Sequence, residues 1–564
     1  MRITSLRRRL TAASVSAVVI GLAVAPGALA QVRPTAQPTT ASGAGLEALK
    51  AERKDDPHVA PARHEGEGPF AKLIIRGATL IDGTGAPPRG PVDIVIEGNR
   101  ITDIANVGVP NAPIDSAKRP KGAAREIDGA GMYVLPGLVD IHVHQGTPQK
   151  APDSEYYNKL WLAHGITTVR GVPFASFEYS IKEKARSARN EITAPRYFVY
   201  QRPGTGWNQG PVSTPEQARA WVRWIAQNGA DGLKLGAERP DLMAALLDEA
   251  KKVGLGSTAH LQQTGVAQMN ADEATRLGLG TVTHFYGLFE SMYENNSVQP
   301  YPVDMNYNNE QDRFGQVARQ WSLVKPHGEK WNALLAKLKE RDVTLDPTMV
   351  AYLTGRDMTH HMAAPWHATY TLPSLWEYYS PNRTNHGSYW YYWTTWDEVA
   401  WRNFYRVWME FLNDYKNMGG RVTASSDAGF IYNSPGFSTI QEMELLQEAG
   451  FHPLEVIRGA TYHAAETLAK PTGKGIEFGA VRPGLLADLL IVDHNPIENL
   501  KVLYGTGALK LNDKTGKPEQ VGGVRWTIKD GIVYDAKQLL ADVAKMVNDQ
   551  RRTRPAAENA KPHE

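Results

Sequence analysis

The chain has 564 residues, 22% charged and 42% hydrophobic, with 62 basic against 60 acidic side chains and no cysteine. Disulfides and thiolate chemistry are thereby excluded, and a near-balanced charge gives no electrostatic footprint for nucleic acid. Four of the basic residues, Arg2, Arg7, Arg8 and Arg9, fall in the first nine positions, and without them the acidic residues outnumber the basic ones by two.

Those arginines open an apolar run from Leu10 to Ala25, followed by Pro26-Gly27 and Ala28-Leu29-Ala30 before Gln31. Basic start, short apolar run and small-residue site predict a secretory signal peptide over 1–30, cleaved after Ala30. An uncleaved anchor is the alternative, but the run is shorter than the ~20 residues that span a bilayer. Export to the periplasm or medium follows, by the general route or, from Arg7-Arg8-Arg9, a twin-arginine one. No membrane span is expected in the mature chain.

Residues 31–68, rich in Pro, Ala, Gly and charge, read as a flexible linker. Short β runs cut by Gly, Asp and Asn turns occupy 69–132, and the same texture returns over 478–537, with Asp530-Gly531 as a hairpin turn. The two ends are expected to pair into one small β-sandwich domain, and 538–564 to form a helix with a charged tail. Between them, over 133–477, short apolar strands alternate with helical stretches. Candidate strands are 133–142, 166–170, 196–200, 232–235, 255–260, 281–284, 343–348 and 421–427. Eight such runs predict an α/β fold, a (β/α)8 TIM barrel. The 143 residues from His284 to Asp427 exceed two βα units, which places an insertion at about 351–416.

His142 and His144, two apart at the end of the first barrel strand, point to the same side. Two imidazoles so placed are a metal signal. Four later strand ends offer Lys234, His260, His284 and Asp427, all at the barrel's C-terminal rim. Read singly, Lys234 could be a salt-bridged lysine and Asp427 a turn aspartate.

The set Pro136-Gly137-Leu138-Val139-Asp140-Ile141-His142-Val143-His144, Lys234, His260, His284 and Asp427 resembles the amidohydrolase superfamily, in its binuclear subtype with a carboxylated lysine. The stretches 165–170, 449–455, 459–461 and 483–489 are similar to its imidazolonepropionase-like and Xaa-Pro-dipeptidase-like branch. The resemblance implies two divalent ions, Zn above all, the more buried held by His142 and His144 and the more exposed by His260 and His284. A CO2-derived carbamate on Lys234 would bridge them. A free ammonium has no lone pair and would repel the ions, so an unmodified lysine could not serve. Asp427 would be both a ligand and the proton carrier between attacking water and leaving nitrogen.

The implied activity is metal-dependent hydrolysis of a carbon–nitrogen bond in a small-molecule substrate: a dipeptide, an N-acyl amino acid or a bulky aromatic amide. Lactone, carbamate or phosphotriester hydrolysis on the same site is the alternative within the enzyme class, and a non-catalytic binding protein of the envelope the alternative outside it. Homo-oligomers are compatible with the resemblance. The sequence departs from the branch after the third strand, where Gln201–Gly210 offers Trp207 or Asn208 in place of a substrate-binding histidine. Arg202 could meet a substrate carboxylate there, and Tyr286 follows the His284 strand. The insertion is dense in aromatic residues. Tyr389 and Trp393 are candidate pocket walls, whereas Trp401, Tyr405, Trp408 and Leu412 recur at helical spacing and form a packing stripe. His327, His360, His361, His367 and His386 fall in inserted regions, where substrate contact is open to them.

Overall fold

A computed structural model describes residues 55–295, 300–382, 386–387 and 389–554. The expected signal peptide lies outside them, and the expected linker is described only from Asp55. From there it is packed rather than extended in solvent: His58 bridges to Asp153, the Ala60 amide donates to Glu183 at 2.9 Å, and Glu67 pairs with Val533.

The N-terminal part contributes five strands, β1 (Leu73–Leu80), β2 (Arg89–Glu97), β3 (Arg100–Asn106), β4 (Arg125–Asp128) and β5 (Tyr133–Pro136). The continuous run expected over 133–142 is broken at Gly137, so that β5 belongs to the first sheet and β6 (Leu138–Val143) to the second. Any side chain at Gly137 would strike Thr167, whose Oγ1 lies 2.2 Å from the place of a Cβ.

The barrel continues with β7 (Ile166–Gly171), β8 (Arg196–Gln201), β9 (Gly232–Leu235), β10 (Gly256–Ala259), β11 (Thr281–Thr283), β12 (Thr344–Asp346) and β13 (Arg421–Val422). These eight strands pair in chain order and in parallel. The ring closes just past β13, where Val143 bridges to Ala428 and the Asp427 amide donates to the His142 carbonyl at 2.8 Å. This is a (β/α)8 barrel, and all strands point their C-terminal ends at one rim.

The chain then returns to the first sheet with β14 (Leu489–Val492), adds a separate hairpin of β15 (Ala508–Asn512) and β16 (Lys517–Val521), and ends in β17 (Val524–Lys529) and β18 (Ile532–Asp535). β14 lies between β5 and β17, so both ends of the chain share one mixed sheet, cored by Leu73, Ile75, Ile94, Leu489, Ile491 and Ile528. Asp530 and Gly531 both take positive φ (51° and 75°) in the β17–β18 turn, as a tight hairpin of right-handed twist demands.

The insertion is helical: Leu353–Met362, His367–Tyr370, Pro373–Tyr379 and the long helix Thr395–Asn417. The last begins with a reciprocal cap between Thr394 and Asp397 and buries Trp401, Phe404, Tyr405, Trp408, Leu412 and Tyr415 on one side. The stripe reading therefore holds for this helix. A final helix, Ala536–Thr553, buries Leu539, Leu540, Val543 and Val547. Among the described residues no helix is long and apolar enough to cross a membrane.

Candidate metal centre

The hydrogen bonds that close the barrel also build the site. Asp427 donates its amide to His142 and His144 donates its own to Ala428, so the histidine pair and the aspartate face each other across the seam. His144 Nε2 lies 3.2 Å and His142 Nε2 3.6 Å from Asp427 Oδ1. Ligand atoms of these three residues lie within 4.8 Å of one another. His284 Nε2 is 3.7 Å from Asp427 Oδ2, and the His260 ring is 4.7 Å from the His284 ring, centroid to centroid. Lys234 Nζ lies 3.1 Å from His142 Nε2. Five strand ends thus bring six chemistry-bearing side chains together.

Three of the imidazoles are oriented from behind. His142 Nδ1 meets Asp346 at 3.3 Å, and His144 Nδ1 donates to the Pro173 carbonyl at 3.0 Å. His284 Nδ1 meets Thr348 Oγ1, which spends its own hydrogen on the Pro347 carbonyl at 2.7 Å and so accepts. With the hydrogen engaged at Nδ1, each Nε2 turns its lone pair to the centre. Burial, and then the nearby Lys234, pushes the His142 and His260 pKa well below the ordinary histidine range; burial, and then His260, does the same to His284. These rings are neutral and able to bind a cation. Burial alone would raise the Asp427 pKa, but His142, His144 and Lys234 hold it below the usual carboxylate range. Burial pulls Lys234 down to about 7. His284 and Asp427 both take left-handed backbone (φ 64° and 51°), local strain of the kind that concentrates at functional sites.

These imidazoles, three of them anchored through Nδ1, and the Asp427 carboxylate form a donor set that suits a divalent ion with nitrogen and oxygen preferences. The set opens into a cavity of about 680 Å3. Arg202 and Tyr286 line it; Tyr286 stacks on His260 at 4.7 Å and accepts a hydrogen bond from Tyr352 at 3.2 Å.

The structure does not bring Trp207, Tyr389 or Trp393 to the cavity. Trp207 packs edge-on against Trp224, as expected where a large indole finds an apolar wall. Tyr389 is fully buried, stacked on Phe314 and hydrogen-bonded to Thr354 at 2.7 Å; Trp393 stacks on Trp401. Burial of their large apolar area under the helix stripe outweighs presentation to solvent. The insertion instead reaches the cavity through Tyr352, Tyr378 and His386. Of the other inserted histidines, His361 and His367 are interior, His361 bonding Asn433 and His367 bonding Thr371 and the His361 carbonyl, while His327 pairs with Glu410.

Sequence reasoning missed the supporting carboxylate Asp346. It is fully buried at the end of β12, meets His142, accepts from Thr423 at 2.8 Å and lies 3.5 Å from Arg170 Nη2. Its signal was available, an acidic residue at a barrel strand end like Asp427.

The molecule is thus of the class of (β/α)8 barrels that carry a histidine-rich donor set at the C-terminal rim beside a small sheet domain. The chain matches no protein-family model. Among curated proteins it is 33% identical over 87 residues to adenine deaminase 2 of Agrobacterium fabrum, 14% of each chain. It is likewise 33% identical over 105 residues to dihydroorotase of Aquifex aeolicus, 18% of this chain and 22% of that one. The chain thus matches well under a third of the length of these relatives. Among solved structures it is similar to bottromycin amidohydrolase (TM-score 0.55, 18% identity, 89% of this chain and 93% of that one). It also resembles a Xaa-Pro dipeptidase with bound methionine in the active site (TM-score 0.53, 19% identity, 82% and 100%). The solved structures share the fold of this chain, and the curated matches are confined to short stretches of it.

Proposed function

We propose that the chain is an exported metal-dependent hydrolase of a carbon–nitrogen bond, with a dipeptide, an N-acyl amino acid or a bulky aromatic amide as substrate. The observation that carries this reading is the convergence of His142, His144, Lys234, His260, His284 and Asp427 on one open cavity. An open site fits catalysis, whereas one filled by side chains would fit a stabilising role.

In this reading His142, His144 and Asp427 hold one divalent ion and His260 and His284 a second, zinc being the ion that nitrogen and carboxylate donors favour. Such ions, when bound, lower the pKa of water and polarise a carbonyl. Lys234, with its pKa near 7, is substantially a neutral amine at neutral pH. That form could add CO2 and release a proton, and the resulting anionic carbamate would offer the oxygen donors that an ammonium lacks. Asp427, kept ionised, would take the proton of the attacking water and pass it to the leaving nitrogen. Tyr286 would orient His260 by stacking, and Arg202 would meet substrate at the rim.

The test is metal analysis joined to a hydrolysis panel of dipeptides, N-acyl amino acids, aromatic amides, lactones, carbamates and phosphotriesters on the mature protein. We expect about two zinc ions per chain, turnover of the amides, and loss of turnover in Asp427→Asn and Lys234→Ala. Activity in a metal-free preparation would refute the reading, and turnover confined to lactones or phosphotriesters would transfer the site to those substrates. Terminal sequencing of the exported protein checks cleavage after Ala30.

A further inference from the structure

The cavity holds cations that the proposed ligand set does not use. Lys150, Arg202 and Arg313 line it, and outside the ligand set Glu238 is the carboxylate among its described lining residues. Arg313 is tied to Glu310 at 3.0 Å. Among the described residues, Lys150 and Arg202 have no carboxylate at ion-pair distance.

Lys150 is held in place with unusual care for an unpaired lysine. Its ammonium sits 3.7 Å from the centre of the Tyr378 ring and 3.4 Å from the Gly429 carbonyl. Its backbone carbonyl accepts the Ser374 hydroxyl at 2.5 Å. Ser374 and Tyr378 are four residues apart on the helix Pro373–Tyr379 and so share a face. That single face grips both the main chain and the side chain of Lys150. The helix is anchored in turn, because the Ser374 amide donates to Gln550 of the C-terminal helix at 2.9 Å.

An aromatic face favours a cation but does not satisfy its hydrogens. Of the three N–H donors of an ammonium, one is directed at Gly429 across a long contact, and among the described residues no carboxylate claims the others. Burial pulls this ammonium down to about 8, which leaves it mostly charged at neutral pH. Beyond the attraction of Asp427, which the proposed ions would share, a charge so fixed at a cavity wall has no carboxylate at ion-pair distance among the described residues, and a ligand can supply one.

We propose that Lys150, gripped by Ser374 and Tyr378 of the insertion, is an anion subsite, and that the substrate carries a carboxylate or phosphate group apart from the bond that is broken. This inference rests on the proposed function, since it names the substrate class of the same cavity. It also gives the insertion a role at the site that its buried aromatic stripe does not.

The test is calorimetric titration of the metal-loaded full chain with N-acetyl-L-phenylalanine, its neutral amide, and phenyl phosphate. A charge-assisted hydrogen bond predicts that the wild type binds at least one of the two anions about 10-fold or more tightly than the amide. Lys150→Met should reduce that preference to within about threefold with amide affinity unchanged, and Lys150→Arg should restore it. Tyr378→Leu should fall between. Whichever anion shows the Lys150-dependent gain identifies the group the subsite takes. The proposal is overturned if neither anion outbinds the amide in the wild type, or if Lys150→Met keeps the full preference. Because the readout is binding, a Lys150-dependent preference without turnover of any substrate would refute the hydrolase reading while the subsite stands.

Discussion

Asp346→Asn separates orientation of the site from its assembly. The wild-type carboxylate is fully buried, with Oδ2 3.3 Å from His142 Nδ1 and 3.5 Å from Arg170 Nη2, and Oδ1 2.8 Å from Thr423 Oγ1. Asparagine keeps the volume but removes the charge. If its NH2 faces His142, the imidazole must accept at Nδ1 and carry its hydrogen on Nε2, which abolishes the lone pair aimed at the centre. If the NH2 faces Thr423 instead, the tautomer survives but the ring is less basic. Loss of such a supporting partner costs about 10- to 100-fold in metal affinity, or roughly 1.4 to 2.7 kcal/mol. Arg170 is meanwhile left as a buried cation without its carboxylate. Its remaining contacts, the Ile141 carbonyl and the Tyr200 ring at 4.8 Å, place the stability loss near the low end of the range for a broken buried pair, about 3 kcal/mol. The assay is zinc competition against a chromophoric chelator at pH 7, beside thermal unfolding. Thr423→Val, which removes a hydrogen bond but keeps the charge, is the control and should retain near-wild-type affinity. Affinity in Asp346→Asn within about threefold of wild type would refute the argument that Asp346 sets the histidine tautomer.

Further outcomes follow from the packing and the buried charges. Burial raises the pKa of Glu290 from 4.5 to about 7, so the folded state holds a proton that the unfolded state has lost. Its contribution is present below about pH 4.5 and lost as pH rises through about 7. Glu290→Gln should therefore flatten stability over that window and stabilise at pH 8 by on the order of 2 to 3 kcal/mol, read from unfolding at several pH values. Trp401→Ala should cost about 3 to 5 kcal/mol of stability, whereas Trp396→Ala, at a side chain 80% exposed, should stay within about 0.5 kcal/mol; thermal melts compare them. Gly256→Ala would place a methyl 1.8 Å from the Tyr200 hydroxyl inside the barrel, so a loss of about 1 to 3 kcal/mol is expected from the same melts.

The chain's linear pattern determined the barrel and the identity of the convergent residues. Parallel strands buried on both faces read as short apolar runs, and a strand-end position in such a run has only one rim to occupy; hence His142, His144, Lys234, His260, His284 and Asp427 could be named before any coordinates. The helix stripe of Trp401, Tyr405, Trp408 and Leu412 was legible for a related reason, a period of 3.6 that local backbone geometry imposes. Tertiary structure alone decided which way the remaining side chains face. Tyr389 and Trp393 are as aromatic as any pocket wall, yet neighbouring helices bury them, because an aromatic residue gains by contact with whatever apolar surface is nearest and composition does not say which that is. Asp346 behind His142, and Lys150 between Ser374 and Tyr378, depend on pairs of residues 204 and more than 220 positions apart along the chain. Contacts of that separation have no local periodicity to announce them, and only closure of the ring and docking of the insertion bring them into being.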